Sequence, residues 1–404
     1  MSTSLLYHAF GLRGYQYVRT YFFEGEVFFA IEAKPERLCC AACGSGDVVK
    51  RGRTVRCFTA IPIGQKPTNL LLPVQRVGCR RCGLVRQIHL GFADPQRSYT
   101  RSFERYALEL SRRMTIKDVA GQLQVGWDVI KDIQLRDLRH RFARPRLQQL
   151  RSLALDEIAV AKGHRYLTLV VDLATRVIVF VGDGKGADAL DPFWPRLRRS
   201  RASVRAVAID FSAAYILAVS GHLSNAVLIY DHFHVVKLFN DKLSSLRRQL
   251  YHQASTDRDK KVLKGTRWLL LKNPENLDPQ KNEQQRLEEA LKLNKPLATA
   301  YYLKEDLRQL WRQRNKKTAA AFLGGWIARA QASEVGILER FAETLDRHRC
   351  GILAYYDHPI STGPLEGINN KIKTLKRQAY GFRDLEFFKL RILALHETRE
   401  VLIG

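Results

Sequence analysis

Three carboxylates occupy positions where the neighbouring residues are apolar or basic. Asp156 interrupts the apolar run "LALDEIAV", Asp210 ends "AVAID", and Glu366 is the only carboxylate between Asp357 and Asp384, in a segment rich in lysine and arginine. A buried carboxylate is costly unless it is paired or bound to a cation. Carboxylates that converge must take up protons or hold a cation, and oxygen ligands favour magnesium or manganese.

Each acid also has an ordinary structural interpretation. The two aspartates, and Asp231 at the end of "VLIYD", could be satisfied core or capping residues. Pro364 suits the first turn of a helix, and Glu366 would be favoured there by the helix dipole. The same helix would place Glu366, Asn370 and Lys373 on one face, so a carboxylate would lie beside lysines that can bind phosphate.

Four cysteines form a second group that could do chemistry. Cys40 and Cys43 belong to "CAAC", and Cys79 and Cys82 belong to "CRRC" about 35 residues later. A C-x2-C turn places two sulfurs on one side of an ion, and Zn²⁺ prefers four tetrahedral thiolate or imidazole ligands. The spacing predicts a structural zinc ribbon, with unliganded cysteines as the alternative.

The remaining cysteines do not fit that pattern. An odd total of seven, mostly before residue 83, suits reduced thiols and metal binding better than a secreted disulfide framework. Cys39 and His89 could substitute as zinc ligands, whereas Cys57 and Cys350 are expected to be small buried hydrophobic residues.

Charge indicates the kind of partner. The chain of 404 residues carries 67 basic and 40 acidic residues, a net charge of +27, which favours a polyanion and nucleic acid ahead of an anionic membrane surface. The N-terminus lacks the pattern of a signal peptide, and the longest apolar run is broken by Asp172 and Arg176. We therefore expect a soluble, intracellular protein located in the cytoplasm.

The N-terminal part must position the cysteines. Residues 15 to 34 read as two strands around Glu24-Gly25-Glu26, within a β region with the zinc ribbon over residues 1–95. Apolar residues at three- and four-residue spacing then predict a helix-turn-helix DNA-binding domain over residues 100–143, with an ordinary helical hairpin as the alternative. Thr115 would cap its first helix and Trp127 would begin its second.

DNA contacts can be assigned on this hairpin. Lys131 and Gln134 on the second helix are candidates for the groove, and Arg112 and Arg113 are candidates for phosphates or else belong to a solvated face. A basic linker over residues 141–152 would follow.

The acids must be positioned by an α/β region. Short apolar runs at 152–160, 166–173, 176–184, 203–211 and 225–233 predict strands, with helices near 189–200 and 213–223. Asp210 and Asp231 then lie at the carboxyl ends of strands, where open α/β sheets place their active sites. Residues 240 to 348 read as almost wholly helical. Trp268, Trp311 and Trp326 there are expected to pack in the core, and the alternatives are stacking on unpaired bases or packing against a partner.

The order of these motifs resembles the DDE transposases of bacterial insertion sequences, specifically the ISL-three group. The matching stretches are "LALDEIAVAKGHRYLTLVVDL", "VRAVAIDFSAAY", "IYDHFHVVK" and "STGPLEGINNKIKTLKRQAYGFRDLEFFKLRIL". The resemblance implies a multidomain α/β protein with an N-terminal zinc ribbon, a helix-turn-helix and a ribonuclease H-like catalytic domain over residues 152–240. A helical insertion over 241–348 and a C-terminal helical part over 349–404 would complete it.

The resemblance also assigns residues. It implies that Asp156, Asp210 and Glu366 form the metal-binding catalytic triad, that Asp231 and His234 are an accessory motif, and that the cations of the last segment neutralise the strand being cut: Lys371, Lys373, Lys376 and Arg377. Mg²⁺ or Mn²⁺ in the active site and structural Zn²⁺ are the expected cofactors.

The expected activity is transposition. The protein would bind terminal inverted repeats and catalyse metal-dependent DNA cleavage and strand transfer on double-stranded DNA, as an at least dimeric synaptic complex. The alternatives are a DNA-binding regulator without catalysis and a structure-specific nuclease on the same fold.

Overall fold

The structure, a computed structural model, describes residues 5–161, 163 and 165–397. It divides into two compact units with a boundary between Ala143 and Arg144, and Glu397 belongs to the first unit. No helix in the described ranges is long and apolar enough to cross a membrane.

The first unit begins with a short helix, α1 (Leu5–Phe10), and a five-stranded mixed sheet. Its strands are β1 (Tyr15–Phe23), β2 (Glu26–Ala33), β3 (Val48–Ile63), β4 (Lys66–Cys79) and β5 (Val85–Gln87). The order is β1-β2-β4-β3, with β5 also paired to β4. The predicted hairpin around Glu24-Gly25 is confirmed: both residues have positive φ, which is the geometry of a tight two-residue turn.

Strands β3 and β4 form one long antiparallel hairpin. Val48 at the start of β3 pairs with Cys79 at the end of β4. Cys40 and Cys43 lie shortly before β3, and Cys82 lies shortly after β4. The open end of the hairpin therefore brings both cysteine pairs to the same place.

Three helices complete the first unit. They are α2 (Arg101–Leu110), α3 (Ile116–Leu123) and α4 (Trp127–Phe142), and they share an apolar core. Thr115 caps α3 by accepting a hydrogen bond from Asp118 N, and Gln124 closes that helix in the left-handed conformation. The predicted cap at Thr115 and the start of the second helix at Trp127 are confirmed.

The second unit is built on another five-stranded mixed sheet. Its strands are β6 (Ser152–Ala161), β7 (Arg165–Asp172), β8 (Val177–Asp183), β9 (Ala206–Ile209) and β10 (Val227–Tyr230), in the order β10-β9-β6-β7-β8. Strands β6, β7 and β8 pair antiparallel, whereas β9 and β10 run parallel to β6. Helices α5 (Phe193–Ser200) and α6 (Ala213–His222) connect the later strands.

A helical region follows, as the sequence predicts. It comprises α7 (His232–Gln253), α8 (Asp257–Gly265), α9 (Glu283–Leu293), α10 (Lys295–Leu307), α11 (Lys316–Gln331), α12 (Gly336–Arg347) and α13 (Arg349–Leu353). Its apolar residues join those of the sheet in one core. Trp326 is fully buried and donates from Nε1 to Leu303 O at 2.9 Å, whereas Trp268 is 64% exposed, so core packing was the wrong expectation for Trp268.

Two helices end the described chain. Helix α14 (Gly363–Gln378) contacts β6, and α15 (Leu385–Leu393) contacts β8. The buried side chains Leu365, Ile372 and Leu375 form the inner stripe of α14. That stripe fixes which face of α14 is turned toward the sheet.

Candidate active site and cysteine cluster

Three aspartates lie level with one another on adjacent parallel strands. Ala154 of β6 pairs with Ala208 of β9, so Asp156 and Asp210 each follow two residues beyond that pair. Tyr230 of β10 pairs with Ile209, and Asp231 N donates to Ile209 O at 3.2 Å. Since neighbouring strands are about 4.8 Å apart, the register gathers three carboxylates at one edge of the sheet.

Asp156 lies on β6, the central strand of the five-stranded sheet. Its Oδ1 accepts a hydrogen bond from Glu157 N at 2.8 Å, and its Oδ2 accepts one from Asn369 Nδ2 at 2.8 Å. Burial raises the pKa of Asp156; these hydrogen bonds oppose the shift, and the negative charge of Asp210 adds to it. Asp210 Oδ1 accepts from Ser212 N at 2.9 Å, which fixes Asp210 at the start of α6.

Asp231 is held as an anion. Its side chain is 1% exposed, and Oδ2 lies 2.6 Å from Thr362 Oγ1 and 3.3 Å from His234 Nδ1. Burial by itself would raise the pKa of Asp231, but hydrogen bonds from His232, His234 and Thr362 hold it well below its ordinary range. Burial lowers the pKa of His234, yet Asp231, Asp156 and Asp210 together raise it. The carboxylates around His234 therefore favour its protonated form.

Glu366 lies between two anchor points of α14. Thr362 contacts Asp231, and Asn369 contacts Asp156. Thr362, Glu366 and Asn369 follow one another at i, i+4 and i+7, which is one stripe of a helix. Glu366 is therefore on the side of α14 that meets the aspartates, and its side chain is exposed.

The structure brings together two of the three predicted catalytic acids. The charge of Asp210 acts on Asp156, whereas Glu366 is exposed and is not among the groups that shift the pKa of Asp156. In the described ranges, only the four cysteines form a group of three or more ligand atoms within 4.8 Å of one another. The amide that reaches Asp156 belongs to Asn369 and not to Asn370, which is exposed.

Sequence reasoning missed Glu157. Burial raises the pKa of Glu157, and the charges of Asp210 and Asp156 raise it further, but Glu157 directly follows Asp156 on β6 and its side chain therefore points to the opposite face of the sheet. Tyr215, fully buried on α6, hydrogen-bonds to Thr168 at 2.9 Å and lies beside Glu157. The sequence did contain a signal for Glu157, because it is a second acid that directly follows Asp156 in the apolar run "LALDEIAV".

The cluster fits a divalent cation. One buried oxygen next to Asp156, Asn369 Oδ1, has no hydrogen-bond partner. Unsatisfied buried acceptors beside carboxylates form the all-oxygen donor set that Mg²⁺ and Mn²⁺ prefer.

The basic side chains of α14 continue along β6 beyond Asp156. Lys373, Lys376 and Arg377 line a cavity of about 200 Å³ together with Ile158, Ala159, Val160 and Ile372. Lys371 is exposed on the same helix. These positions suit the neutralisation of phosphates beside the carboxylates.

The cysteine cluster has the arrangement that the spacing predicts. Cys40 Sγ lies 3.6 Å from Cys82 Sγ, and Cys43 Sγ lies 3.5 Å from Cys79 Sγ. Backbone N–H groups of Cys43 and Ala42 lower the pKa of Cys40 to about 6, which favours the thiolate. Sulfur separations of this size fit four thiolates around one Zn²⁺, for which Zn–S is about 2.3 Å.

The other sulfur and imidazole candidates lie outside that cluster. Cys39 Sγ is directed to Glu36 O at 3.5 Å, and His89 is exposed and is not one of the clustered ligands. Cys57 and Cys350 are exposed, so the prediction that they are buried was wrong: neither lies on an inward-facing position of its strand or helix.

The predicted DNA-contacting residues of the helix-turn-helix divide into two groups. Arg112 and Arg113 are exposed, with Arg112 paired to Glu109 at 3.0 Å, and Lys131 lies 5.9 Å from the Trp127 ring. Gln134 is only 5% exposed because it lies between Ile130 and Leu138 on the inner stripe of α4. This burial argues against Gln134 as a base-reading residue.

Comparisons with known proteins match both units. A family model described as "Transposase" matches residues 153–392, and one described as the helix-turn-helix domain of transposase family ISL3 matches residues 88–137. The transposase for insertion sequence element IS1001 of Bordetella parapertussis is 35% identical over 360 residues, which is 88% of each chain. The transposase for IS1557 of Mycobacterium tuberculosis is 28% identical over 393 residues, 90% of this chain and 87% of its own.

Comparison with solved structures gives a distant match. A chain of the Drosophila P element transposase strand transfer complex covers 66% of this chain and 81% of its own, with a TM-score of 0.32 and 12% identity.

Proposed function

Since the chain belongs to the ISL3 family of transposases, and is thus a DNA-binding enzyme that cleaves DNA and transfers strands, we propose that Asp156, Asp210 and Glu366 are its catalytic acids. The observation that carries the proposal is the register of Asp156 with Asp210, together with the bond from Asn369 that ties α14, and Glu366 with it, to Asp156. Asp231 and His234 are the accessory pair.

The fold of the second unit supports the same proposal. Three antiparallel strands followed by two parallel ones, with acids at the ends of β9 and β10, suit a ribonuclease H-like catalytic domain over residues 152–240. The helices of residues 241–348 form the insertion, and residues 349–404 return to the domain with Glu366. Residues 1–95 form the zinc-ribbon region and residues 100–143 the helix-turn-helix domain.

Asp156, Asp210 and Glu366 would hold two Mg²⁺ or Mn²⁺ ions. Such ions, when bound, supply the positive charge that activates an attacking water or 3′-hydroxyl and stabilises the leaving oxygen of the scissile phosphate. The chain itself positions the acids: Asn369 orients the Asp156 carboxylate, and Thr362 fixes the first turn of α14 on Asp231. The cations of α14 hold the phosphates of the cut strand: Lys371, Lys373, Lys376 and Arg377.

DNA recognition belongs to the first unit. Cys40, Cys43, Cys79 and Cys82 would hold a structural Zn²⁺ that fixes the β3–β4 hairpin. The helix-turn-helix reads the terminal inverted repeats, with Lys131 in the groove and Arg112 and Arg113 on phosphates. An element has two ends, so a dimer or a larger synaptic complex on the DNA of a bacterial cytoplasm is the working form.

One assay tests this proposal. The protein is incubated with a labelled DNA end, taken from the inverted repeats that flank the gene, in the presence of Mg²⁺ or Mn²⁺. Cleavage followed by joining to a second DNA supports it. Glu366→Gln should lower cleavage by about 100-fold or more while DNA binding stays within about two-fold. Cleavage at the wild-type rate by that variant would remove Glu366 from the site.

A further inference from the structure

A second cavity lies between the end of β6 and α14, and its first lining residue on β6 is four positions beyond Asp156. It has a volume of about 390 Å³, and its lining includes Val160, Ala161, Lys376, Phe382, Arg383 and Phe388. Val160 and Lys376 also line the smaller cavity next to Ile158, which is two residues from Asp156 on β6. The two cavities therefore share walls and extend from the acids toward the end of β6.

The walls of the larger cavity are aromatic and apolar, and its rim is cationic. Phe382 stacks on Phe388 with ring centroids 4.4 Å apart and an angle of 18° between their planes. Arg165, Lys376 and Arg383 supply three positive charges, while the one acid, Asp183, is already paired with Lys389. An apolar slot with a cationic rim is complementary to an aromatic base attached to a phosphate.

The volume suits one small organic group. Cavities that take such ligands range from about 300 to 1,000 Å³, and this one lies in the lower part of that range. A volume of this size suits a single unpaired nucleotide and not a duplex.

Tyr380 stands next to this cavity in the sequence and is fully exposed, at 101% of its reference area. It is the second residue after α14 and has a φ of +50°. Tyr380 N donates to Arg377 O at 3.0 Å and Gly381 N donates to Lys376 O at 2.9 Å, which is the hydrogen-bond pattern of a Schellman motif. The left-handed position of that motif is usually glycine, sometimes asparagine, because a β-carbon is disfavoured there.

A tyrosine at this position is not explained by folding. Its ring buries no area and its backbone conformation is unfavourable. In the sequence it lies between Arg377 and Arg383. Exposed aromatic rings beside cations are the platforms on which unpaired bases stack.

We propose that Tyr380 and the adjacent cavity bind an unpaired nucleotide of the DNA being processed. Tyr380 stacks on the last paired base, and the next, unpaired nucleotide enters the cavity with its phosphate on Lys376 and Arg383. The proposal rests on the proposed function in one respect: it assumes that the DNA runs along β6 past Asp156.

The test compares two DNAs, so that contacts with paired DNA cancel. One is a blunt 16-base-pair duplex, and the other is the same duplex with a four-thymine overhang, prepared with either polarity. Affinities are measured with the full-length protein by fluorescence anisotropy at one salt concentration and without added Mg²⁺, so that no cleavage occurs. The readout is the dissociation constant of the blunt duplex divided by that of the overhang duplex, calculated for each polarity. We expect this ratio to be about ten for wild type with one of the two polarities.

Two variants should abolish that preference by different means. Tyr380→Gly removes the ring but relieves the left-handed backbone, so it should lower the ratio to about one while leaving the melting temperature unchanged or higher. Ala161→Trp fills the cavity without removing a cation and should also lower the ratio to about one. Tyr380→Phe, which keeps the ring, and Tyr302→Ala, which removes an exposed tyrosine from α10, should both retain the wild-type ratio.

The outcomes decide the proposal. A wild-type ratio near one, or a wild-type ratio retained by either Tyr380→Gly or Ala161→Trp, overturns it. Because no cleavage is measured, these results are independent of the Glu366→Gln assay, and either test can fail without the other.

Discussion

Asn369 Nδ2 donates a hydrogen bond to Asp156 Oδ2 at 2.8 Å across 213 positions of sequence. This bond joins the last long helix of the catalytic unit to the first strand of its sheet. Glu366 lies one turn before Asn369 on the same stripe of α14, so the bond also fixes the position of Glu366 along β6.

Removing that amide should impair catalysis. Asn369→Ala leaves Asp156 with one hydrogen bond fewer and frees the turn that carries Glu366, so we expect the cleavage rate to fall by about 10- to 100-fold. The matched control is Asn370→Ala, since Asn370 is exposed and adjacent. Equal rates for the two variants, measured on the labelled DNA end with Mg²⁺, would show that Asn369 does not position Asp156.

Thr362 should matter for stability. Its hydroxyl contacts the fully buried Asp231 at 2.6 Å, and Thr362→Val would leave that carboxylate without one of its donors. We expect the free energy of unfolding to fall by about 1–3 kcal/mol in urea or guanidinium titrations. Thr374→Val on the same helix is the control and should change stability by less than about 0.5 kcal/mol.

The ion pair of His232 with Asp231 should make stability depend on pH. Asp231 raises the pKa of His232, which lies 3.3 Å from its Oδ1. A raised folded-state pKa contributes stability that is fully present below the ordinary histidine pKa of about 6.5 and is lost as the pH rises through the folded value.

His232→Gln should therefore lower the melting temperature at pH 5.5 and much less at pH 8.5. His252→Gln, at an exposed position of the same helix, provides the comparison. An equal decrease in melting temperature at both pH values would mean that His232 acts by packing and not by charge.

The four clustered cysteines should retain zinc. Cys43→Ser removes one of four ligands, so metal analysis of the purified protein should change from about one zinc per chain to a substoichiometric amount, and the melting transition of the first unit should move to lower temperature. Cys57→Ser is the control because Cys57 is exposed outside the cluster. Wild-type protein that contains no zinc after purification with zinc in the medium would contradict the assignment.

The salt dependence of DNA binding should distinguish Arg113 from Gln134 in the helix-turn-helix. If Arg113 contacts a phosphate, Arg113→Ala reduces the slope of log affinity against log salt by about one. Gln134→Ala should leave that slope unchanged and lower stability instead, because Gln134 is buried. The measurement is anisotropy with duplex DNA at four salt concentrations.

Local signals predicted much of this structure. The two C-x2-C pairs, the cap at Thr115 and the strands that carry Asp156 and Asp210 are readable from residue types and short spacings alone. Such features depend on turn geometry and on periodicity within one element. The register between β6 and β9 does not depend on such local features. It is set by packing between residues that are far apart in the sequence.

Two of the differences, those at Asn369 and Gln134, have a common physical origin, which is the rotation of a helix about its axis. Asn369 lies four residues after Leu365 and three before Ile372, so it belongs to the buried stripe of α14, whereas Asn370 does not. Gln134 occupies the same kind of position between Ile130 and Leu138 on α4. In both helices a polar residue aligned with apolar ones was the signal that the sequence reasoning did not use.

The long separation between Asp156 and α14 has a consequence for the order in which the protein is made. A ribosome completes both cysteine pairs by residue 82 and the three helices of the first unit by residue 142, but Glu366 and Asn369 emerge more than two hundred codons later. A nascent polypeptide therefore completes the cysteine cluster and the three helices of the first unit long before it completes the candidate active site.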